Sequence, residues 1–221
     1  QACADAAVLE VNDNAYRFAH DKLREGVLAE LDDTRRQDVN SIVAESIERA
    51  YPDSLTDYAL VLAQHWGAAG KELKEAHYSL IAAHEGYEFD DFITALQLYQ
   101  RALALNAHQY TDNPDKALAD LYFGLGRASF GLSDYQGAVH WQTQALEQYR
   151  RIGDPFGQAD ATYALGEVDL RQSRYDRARE RIQESLDVFR TLDVPKKIAY
   201  SLMTLGIIHS QRDQLDEAIP I

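Results

Sequence analysis

The sequence predicts an all-α fold in which antiparallel helix pairs stack into a solenoid, with a small β-hairpin at the N-terminal end. Three observations predict it. The 221 residues are rich in helix formers, with only 5 Pro and 12 Gly, and 46% are hydrophobic, enough for a sizeable core. A Leu-Gly pair recurs every 40 residues, at Leu125-Gly126, Leu165-Gly166 and Leu205-Gly206, and an alanine follows each glycine by 12 residues, at Ala138, Ala178 and Ala218. Finally, a proline stands just behind an Asn or Asp at Asn113-Pro114, Asp154-Pro155 and Asp193-Val194-Pro195, the signature of a capped helix start.

From the N-terminus, "AVLEV" and "AYRF" are short β-type stretches around "NDN", which reads as a hairpin turn. Next, "HDKLREGVLAEL" lays Leu23, Val27, Leu28 and Leu31 along one helical stripe, and a second helix follows at about residues 34–50 with Val39, Ile42, Val43 and Ile47 apolar. Residues 1–50 do not share the 40-residue period and form one expected domain. Residues 51–112 form another, made of degenerate pairs. "DYALVLAQHWGAAGKELKEA" is the weaker; the clearer keeps the same 12 and 7 spacings at Ala83, Ala95 and Ala102, with its second helix starting near Phe92.

Residues 113–221 hold three copies, the last broken off at "DEAIPI". Each copy reads as helix, short polar turn ("GLSDYQGA", "RQSRYDRA", "QRDQLDEA") and helix. A glycine inside a helix costs roughly 1 kcal/mol relative to alanine. Its recurrence is therefore read as packing: each glycine faces its partner's alanine so that two backbones approach closely. One such hairpin cannot bury its apolar face, whereas stacked copies can.

The pattern Leu-Gly, 12 residues, Ala, 7 residues, Ala resembles the tetratricopeptide repeat in a 40-residue form. Tyr122 falls on that family's first aromatic position, while Phe130 and Trp141 lie one place off. The resemblance implies a right-handed superhelix whose first helices line a concave groove. Carried across residue by residue, the groove positions are His77, Leu80, His84 and Tyr87 in the degenerate copy. The next copies give Asp120, Phe123, Arg127 and Phe130, then Asp160, Tyr163, Glu167, Leu170 and Arg171, then Tyr200, Met203 and Ile207. Of these, Tyr163, Arg127 and Glu167 are expected to be exposed, whereas Phe123, Phe130 and Leu170 are as well explained by packing against neighbouring helices.

The N-terminal hairpin with "RFAHDKLREGVLAEL" resembles the wing and last helix of the winged-helix domain in STAND-type signalling ATPases. In that family a His-Asp pair there, here His20-Asp21, belongs to a nucleotide sensor. No G-x-x-x-x-G-K-[ST] motif accompanies it; "GAAGKEL" is too short between its glycines and lacks the hydroxyl residue for magnesium.

The bulk numbers narrow the function further. A net charge of −14 argues against direct nucleic-acid or anionic-membrane binding. The local exception, Arg171, Arg174, Arg177, Arg179 and Arg181, diluted by Asp176 and Glu180, reads as a solvated helical face with internal ion pairs, with a phosphate or acidic-peptide patch as the alternative. The single Cys3 fits a reducing, cytoplasmic setting. No apolar run is long enough to span a bilayer, and a chain beginning with Gln1 and lacking a targeting segment is expected to be part of something longer. Of the seven histidines, only His77 and His84 share a helical face, about 10 Å apart by helix rise, too far to chelate one metal ion. The acidic group Glu85, Glu88, Asp90 and Asp91 reads as the cap of the helix starting near Phe92. No nucleophile–base constellation is present.

The expectation is a non-enzymatic module with no cofactor and no metal. It binds a protein or peptide in its groove, as the sensor or scaffold arm of a larger signalling ATPase or transcriptional regulator. The alternatives are a repeat domain sensing a small-molecule inducer and a regulatory segment of a parent cyclase or kinase. An exposed apolar end of the array is also a surface on which two copies can form a homodimer.

Overall fold

The computed structural model describes residues 9–12, 15–18, 26 and 29–218, with side chains for 26 and 29–212. His20-Asp21, Cys3 and most of the stripe Leu23–Leu28 lie outside the described residues. By internal contacts the chain divides into residues 1–75 and 76–221, a boundary inside the expected 51–112 segment.

In the first unit, β1 (Leu9–Asn12) pairs antiparallel with β2 (Ala15–Phe18), Asn12 opposite Ala15. Helix α1 (Asp33–Ala50) starts on Asp32, whose carboxylate accepts from the Arg35 amide at 2.8 Å. Helix α2 (Ala59–Ala68) buries Ala59, Leu62, Ala63 and Trp66. Two polar contacts tie it to α1: Trp66 Nε1 donates to Glu48 Oε1 at 3.1 Å, and His65 Nδ1 lies 2.8 Å from Asn40 Oδ1.

Helix α3 (Glu72–Glu88) runs from one unit into the other. The second unit continues with α4 (Phe92–Ala104), α5 (Pro114–Gly131), α6 (Tyr135–Ile152), α7 (Pro155–Arg171), α8 (Tyr175–Thr191) and α9 (Pro195–Ala218). All three expected proline starts are the first residues of their helices. Asn113 and Asp154 cap by accepting from the Lys116 amide (3.2 Å) and the Gly157 amide (3.0 Å). Asp91 does the same for α4 through the Thr94 amide at 3.2 Å, so the acidic group at 85–91 does contain a cap.

The turns explain the period. Asp90, Ser133 and Ser173, between the helices of a pair, and Asn106, Gly153 and Asp193, between pairs, all have φ between 52° and 69°. Where the chain reverses at Asp90, Ser133, Gly153, Ser173 and Asp193, the next amide reaches back five residues to a helix carbonyl at 2.8–3.0 Å. That bond satisfies an otherwise orphaned carbonyl in the Schellman manner. The third copy departs from expectation. Its turn position, Asp213, lies inside α9, which runs unbroken to Ala218.

Two of the three recurring glycines, Gly126 and Gly166, are contact points, though not against the expected alanines, while at Gly206 nothing among the described residues lies within 4 Å of an added Cβ. A Cβ built at Gly126 would stand 2.6 Å from Gln142 Nε2, and one at Gly166 would stand 2.7 Å from Ile182 Cδ1. Gln142 and Ile182 lie one helical turn beyond Ala138 and Ala178, which are themselves fully buried. In an antiparallel pair the longer side chain one turn on reaches across into the space that glycine leaves. Three apolar clusters run through the unit, centred on Tyr99, Leu121 and Leu125, on Leu146, Tyr149 and Leu165, and on Ile182, Phe189 and Ile208.

Candidate functional site

The first helices of successive pairs (α3, α5, α7 and α9) line one groove of about 1280 Å³ within residues 76–221. It gathers His84, Tyr87, Phe123, Arg127, Phe130, Tyr163, Glu167, Arg171, Met203 and Ile207 from the sequence-predicted set, with Leu80, Asp120, Asp160, Leu170 and Tyr200. His77 is not among its residues; it is exposed elsewhere on α3, with its ring edge-on to Tyr78.

The 40-residue period makes ladders across the groove. Tyr87, Arg127 and Glu167 are the same position in three consecutive repeats. Arg127 Nε donates to Tyr87 Oη at 3.0 Å, and Arg127 Nη1 donates to Glu167. Burial alone would lower the Arg127 pKa; the Glu167 charge and the Tyr87 contacts outweigh it and raise it. This corrects the expectation that Arg127 and Glu167 stand exposed: each side chain is 23% accessible and engaged with the other. Tyr163 is likewise 8% exposed, its hydroxyl 2.9 Å from Thr204 Oγ1, which donates onward to the Tyr200 carbonyl. Burial pushes the Tyr163 phenol above its ordinary range. Side chains that a lone helix would show to solvent are buried here because the next repeat's first helix lies alongside.

A second ladder lies toward the helix starts. Asp120 accepts from Lys116 at 2.5 Å and from the Tyr149 hydroxyl at 2.7 Å. Burial first, and the Asp120 carboxylate second, push the Tyr149 phenol upward. One repeat on, Phe189 replaces Tyr149, and Asp160 pairs instead with Lys197.

Sequence reading missed Tyr99, Tyr149, Lys116, Phe156, Lys196 and Lys197, all of which line the groove. A signal was available for the tyrosines. Tyr99 and Tyr149 come from second helices and reach the groove across Gly124 and Gly157, where an added Cβ would lie 2.5 and 2.2 Å from their rings. Phe130 sits between two guanidinium groups, Arg127 at 5.6 Å and Arg171 at 5.9 Å from its ring centre. The exposed lining includes Tyr200, Met203 (58%) and Ile207 on α9 and Arg171 on α7, together with His84, Glu88, Asp120, Phe156 and Lys196. Five lining residues are cationic (Lys116, Arg127, Arg171, Lys196, Lys197) and four are carboxylates (Glu88, Asp120, Asp160, Glu167). The groove is therefore near neutral in a chain of net charge −14.

The arginine-rich stretch is largely the solvated face expected, with Arg171, Arg174, Arg177 and Arg179 exposed and Arg181 half-buried, but its ion pairs reach outside the stretch. Arg174 and Arg181 bind Asp169, which is fully buried, at 2.6 and 2.5 Å, and Arg177 lies 3.8 Å from it. Asp169 belongs to the preceding helix, α7, so the pairing crosses between helices. Asp176 bonds instead to Arg212 at 2.7 Å. Among the described residues, no group of three or more His, Cys, Asp or Glu is placed to hold a metal ion, and no helix is long and apolar enough to cross a membrane.

The tetratricopeptide repeat family model matches residues 157–221. No curated protein matches the chain in sequence. Several solved structures share its fold. Aspartyl phosphate phosphatase F from Bacillus subtilis is 14% identical, with a TM-score of 0.62 over 90% of this chain and 52% of its own. The Rap conjugation gene regulator of the plasmid pLS20, solved with the Phr* peptide, is 17% identical, with a TM-score of 0.59 over 69% of this chain and 42% of its own. A STAND protein with a tetratricopeptide repeat sensor from Pyrococcus horikoshii is 13% identical, with a TM-score of 0.54 over 89% of this chain and 32% of its own. The chain spans about half the length of the first solved structures it matches. Residues 157–221, where the family match lies, are tetratricopeptide-type repeat, and the helix pairs before them within 76–221 share the fold of these helical repeat structures.

Proposed function

We propose that this chain is a protein-interaction module that takes a peptide or an extended segment of a partner in the groove of residues 76–221. The observation that carries the reading is the exposed set Arg171, Tyr200, Met203 and Ile207 on the groove wall. Aromatic, Met and Arg side chains of this kind dominate partner recognition. The two Rap structures, solved with the Phr* peptide and with competence and sporulation factor, support a peptide occupant by analogy of fold. A volume of about 1280 Å³ exceeds the 300–1,000 Å³ of ordinary small-molecule pockets, which ranks an inducer second. The module acts by binding rather than by catalysis, in the cytoplasm, as the regulatory arm of a longer signalling protein. The winged-helix resemblance of residues 1–50, with His20-Asp21 toward a nucleotide held elsewhere in that protein, belongs to the same proposal.

The test is peptide-display selection on the whole chain, followed by affinity measurement against Arg171→Ala combined with Met203→Ala. These exposed residues are better probes than Arg127 or Tyr163, whose removal also breaks internal bonds. Selected peptides are expected to lose at least tenfold in affinity. Peptides that bind wild type and the double variant equally well refute the groove as the site.

A further inference from the structure

We propose a second site, independent of the groove: an anion pocket for a phosphate-type group beside the Arg174–Arg177–Arg181 cluster. A cavity of about 420 Å³ opens there, lined by these three arginines with Tyr135, Gln136, Val139 and Gln172. Its lining holds no carboxylate. Among the described residues, the acid that engages the cluster is Asp169, fully buried beneath it.

The balance of donors is what points to a ligand. Arg174 uses Nε (2.7 Å) and Nη2 (2.6 Å) on the same oxygen, Oδ1. Arg181 uses Nη1 on Oδ2 at 2.5 Å. Three guanidinium groups bring about fifteen N–H donors, against roughly four lone-pair sites on one carboxylate. Three positive charges likewise face one negative charge. One arginine would suffice to neutralise Asp169. The third, Arg177, stands 3.8 Å away with its side chain 60% exposed, so it contributes little to that pairing.

Asp169 instead works as an anchor. It fixes two guanidinium planes before any ligand arrives, which lowers the ordering cost of binding. An anion with three or more acceptor oxygens and close to two charges matches the surplus better than a single carboxylate does, which selects phosphate or a phosphomonoester. Asp176 and Glu180, the acids interleaved on α8, do not line the cavity, and Asp176 is held by Arg212 at 2.7 Å.

The experiment is calorimetric titration of the whole chain with inorganic phosphate and, separately, with O-phosphoserine, at constant ionic strength set with chloride. Arg177→Gln is compared with Arg179→Gln, an exposed neighbour on α8 outside the cavity, after far-UV circular dichroism shows that both fold. The expected result is saturable binding that falls at least tenfold in Arg177→Gln and less than twofold in Arg179→Gln. Binding of phosphate alone assigns the site to a free anion; binding of both assigns it to phosphomonoesters as well. No saturable binding at 10 mM of either probe (roughly the −3 kcal/mol level), or equal losses in both variants, overturns the proposal.

Discussion

Replacing Gly166 with alanine tests the packing on which the repeat array rests. An open helical glycine gains roughly 1 kcal/mol when it becomes alanine. At Gly166 the new methyl would lie 2.7 Å from Ile182 Cδ1, 3.0 Å from Cγ1 and 3.3 Å from Arg181 Cβ. Overpacking of that order costs about 1–3 kcal/mol, so Gly166→Ala is expected to range from neutral to about 2 kcal/mol destabilising once the helix gain is subtracted. Ile182→Val removes the closest atom and alone costs about 0.5–1.5 kcal/mol. The two changes together should be less damaging than their sum, with a coupling of about 1 kcal/mol. Gly206 is the internal control. It holds the same repeat position, yet among the described residues nothing lies within 4 Å of a Cβ built there. Gly206→Ala is therefore expected to stabilise by about 1 kcal/mol. The assay is equilibrium urea unfolding followed by far-UV circular dichroism, comparing midpoints at unchanged slope. If Gly166→Ala stabilises as much as Gly206→Ala, and the cycle adds to within about 0.3–0.5 kcal/mol, the glycine is not a contact point and the argument fails.

Asp169→Ala should cost about 1.5–3 kcal/mol in the same assay, because it removes the charge-assisted bonds from Arg174 and Arg181 while leaving those partly exposed arginines to water, whereas Arg177→Gln should cost under about 1 kcal/mol, as for an exposed ion pair. Tyr149→Phe removes a buried hydroxyl bonded to Asp120 and should lower stability by about 1–2 kcal/mol. The Tyr149 pKa is raised on folding, so its contribution is complete below the unfolded phenol value of about 10 and fades as pH climbs past it. Wild type should accordingly lose stability in alkali faster than Tyr149→Phe, as read from melting temperature between pH 9 and 11. Burial lowers the pKa of His65, so its contribution stands above the unfolded value of about 6.5 and disappears as pH falls through the lower folded value. Urea melts between pH 7.5 and 5 should show a steeper decline for wild type than for His65→Asn. Equal slopes would remove that histidine from the acid sensitivity.

Much of this fold was legible in the chain because its signals are local. Pro114, Pro155 and Pro195 start their helices whatever surrounds them, since proline fixes its own φ and gives up an amide that has no partner there anyway. The 40-residue recurrence of Leu-Gly likewise located the helix pairs and, through the family pattern, half of the residues that line the groove. Beyond these local signals the reading went wrong in consistent ways. Gly126 and Gly166 oppose Gln142 and Ile182 rather than Ala138 and Ala178, since the stagger of two antiparallel helices is set by side-chain interlock. The turn expected at Asp213 is absent, since α9 runs unbroken through that position.

Whether a groove residue faces solvent was decided by tertiary structure alone. Arg127 and Glu167 look like free charges on their own helices, and Asp169 looks like an ordinary surface acid. Stacking of repeats brings residues 40 positions apart into bonding distance, so that Tyr87, Arg127 and Glu167 satisfy one another, and packing within one helix pair lets Asp169 collect Arg174 and Arg181. Periodicity in a sequence determines which face of a helix turns inward. The distance between two such faces, and therefore which charges meet and which remain available to a partner, follows only from the volume of every side chain packed between them.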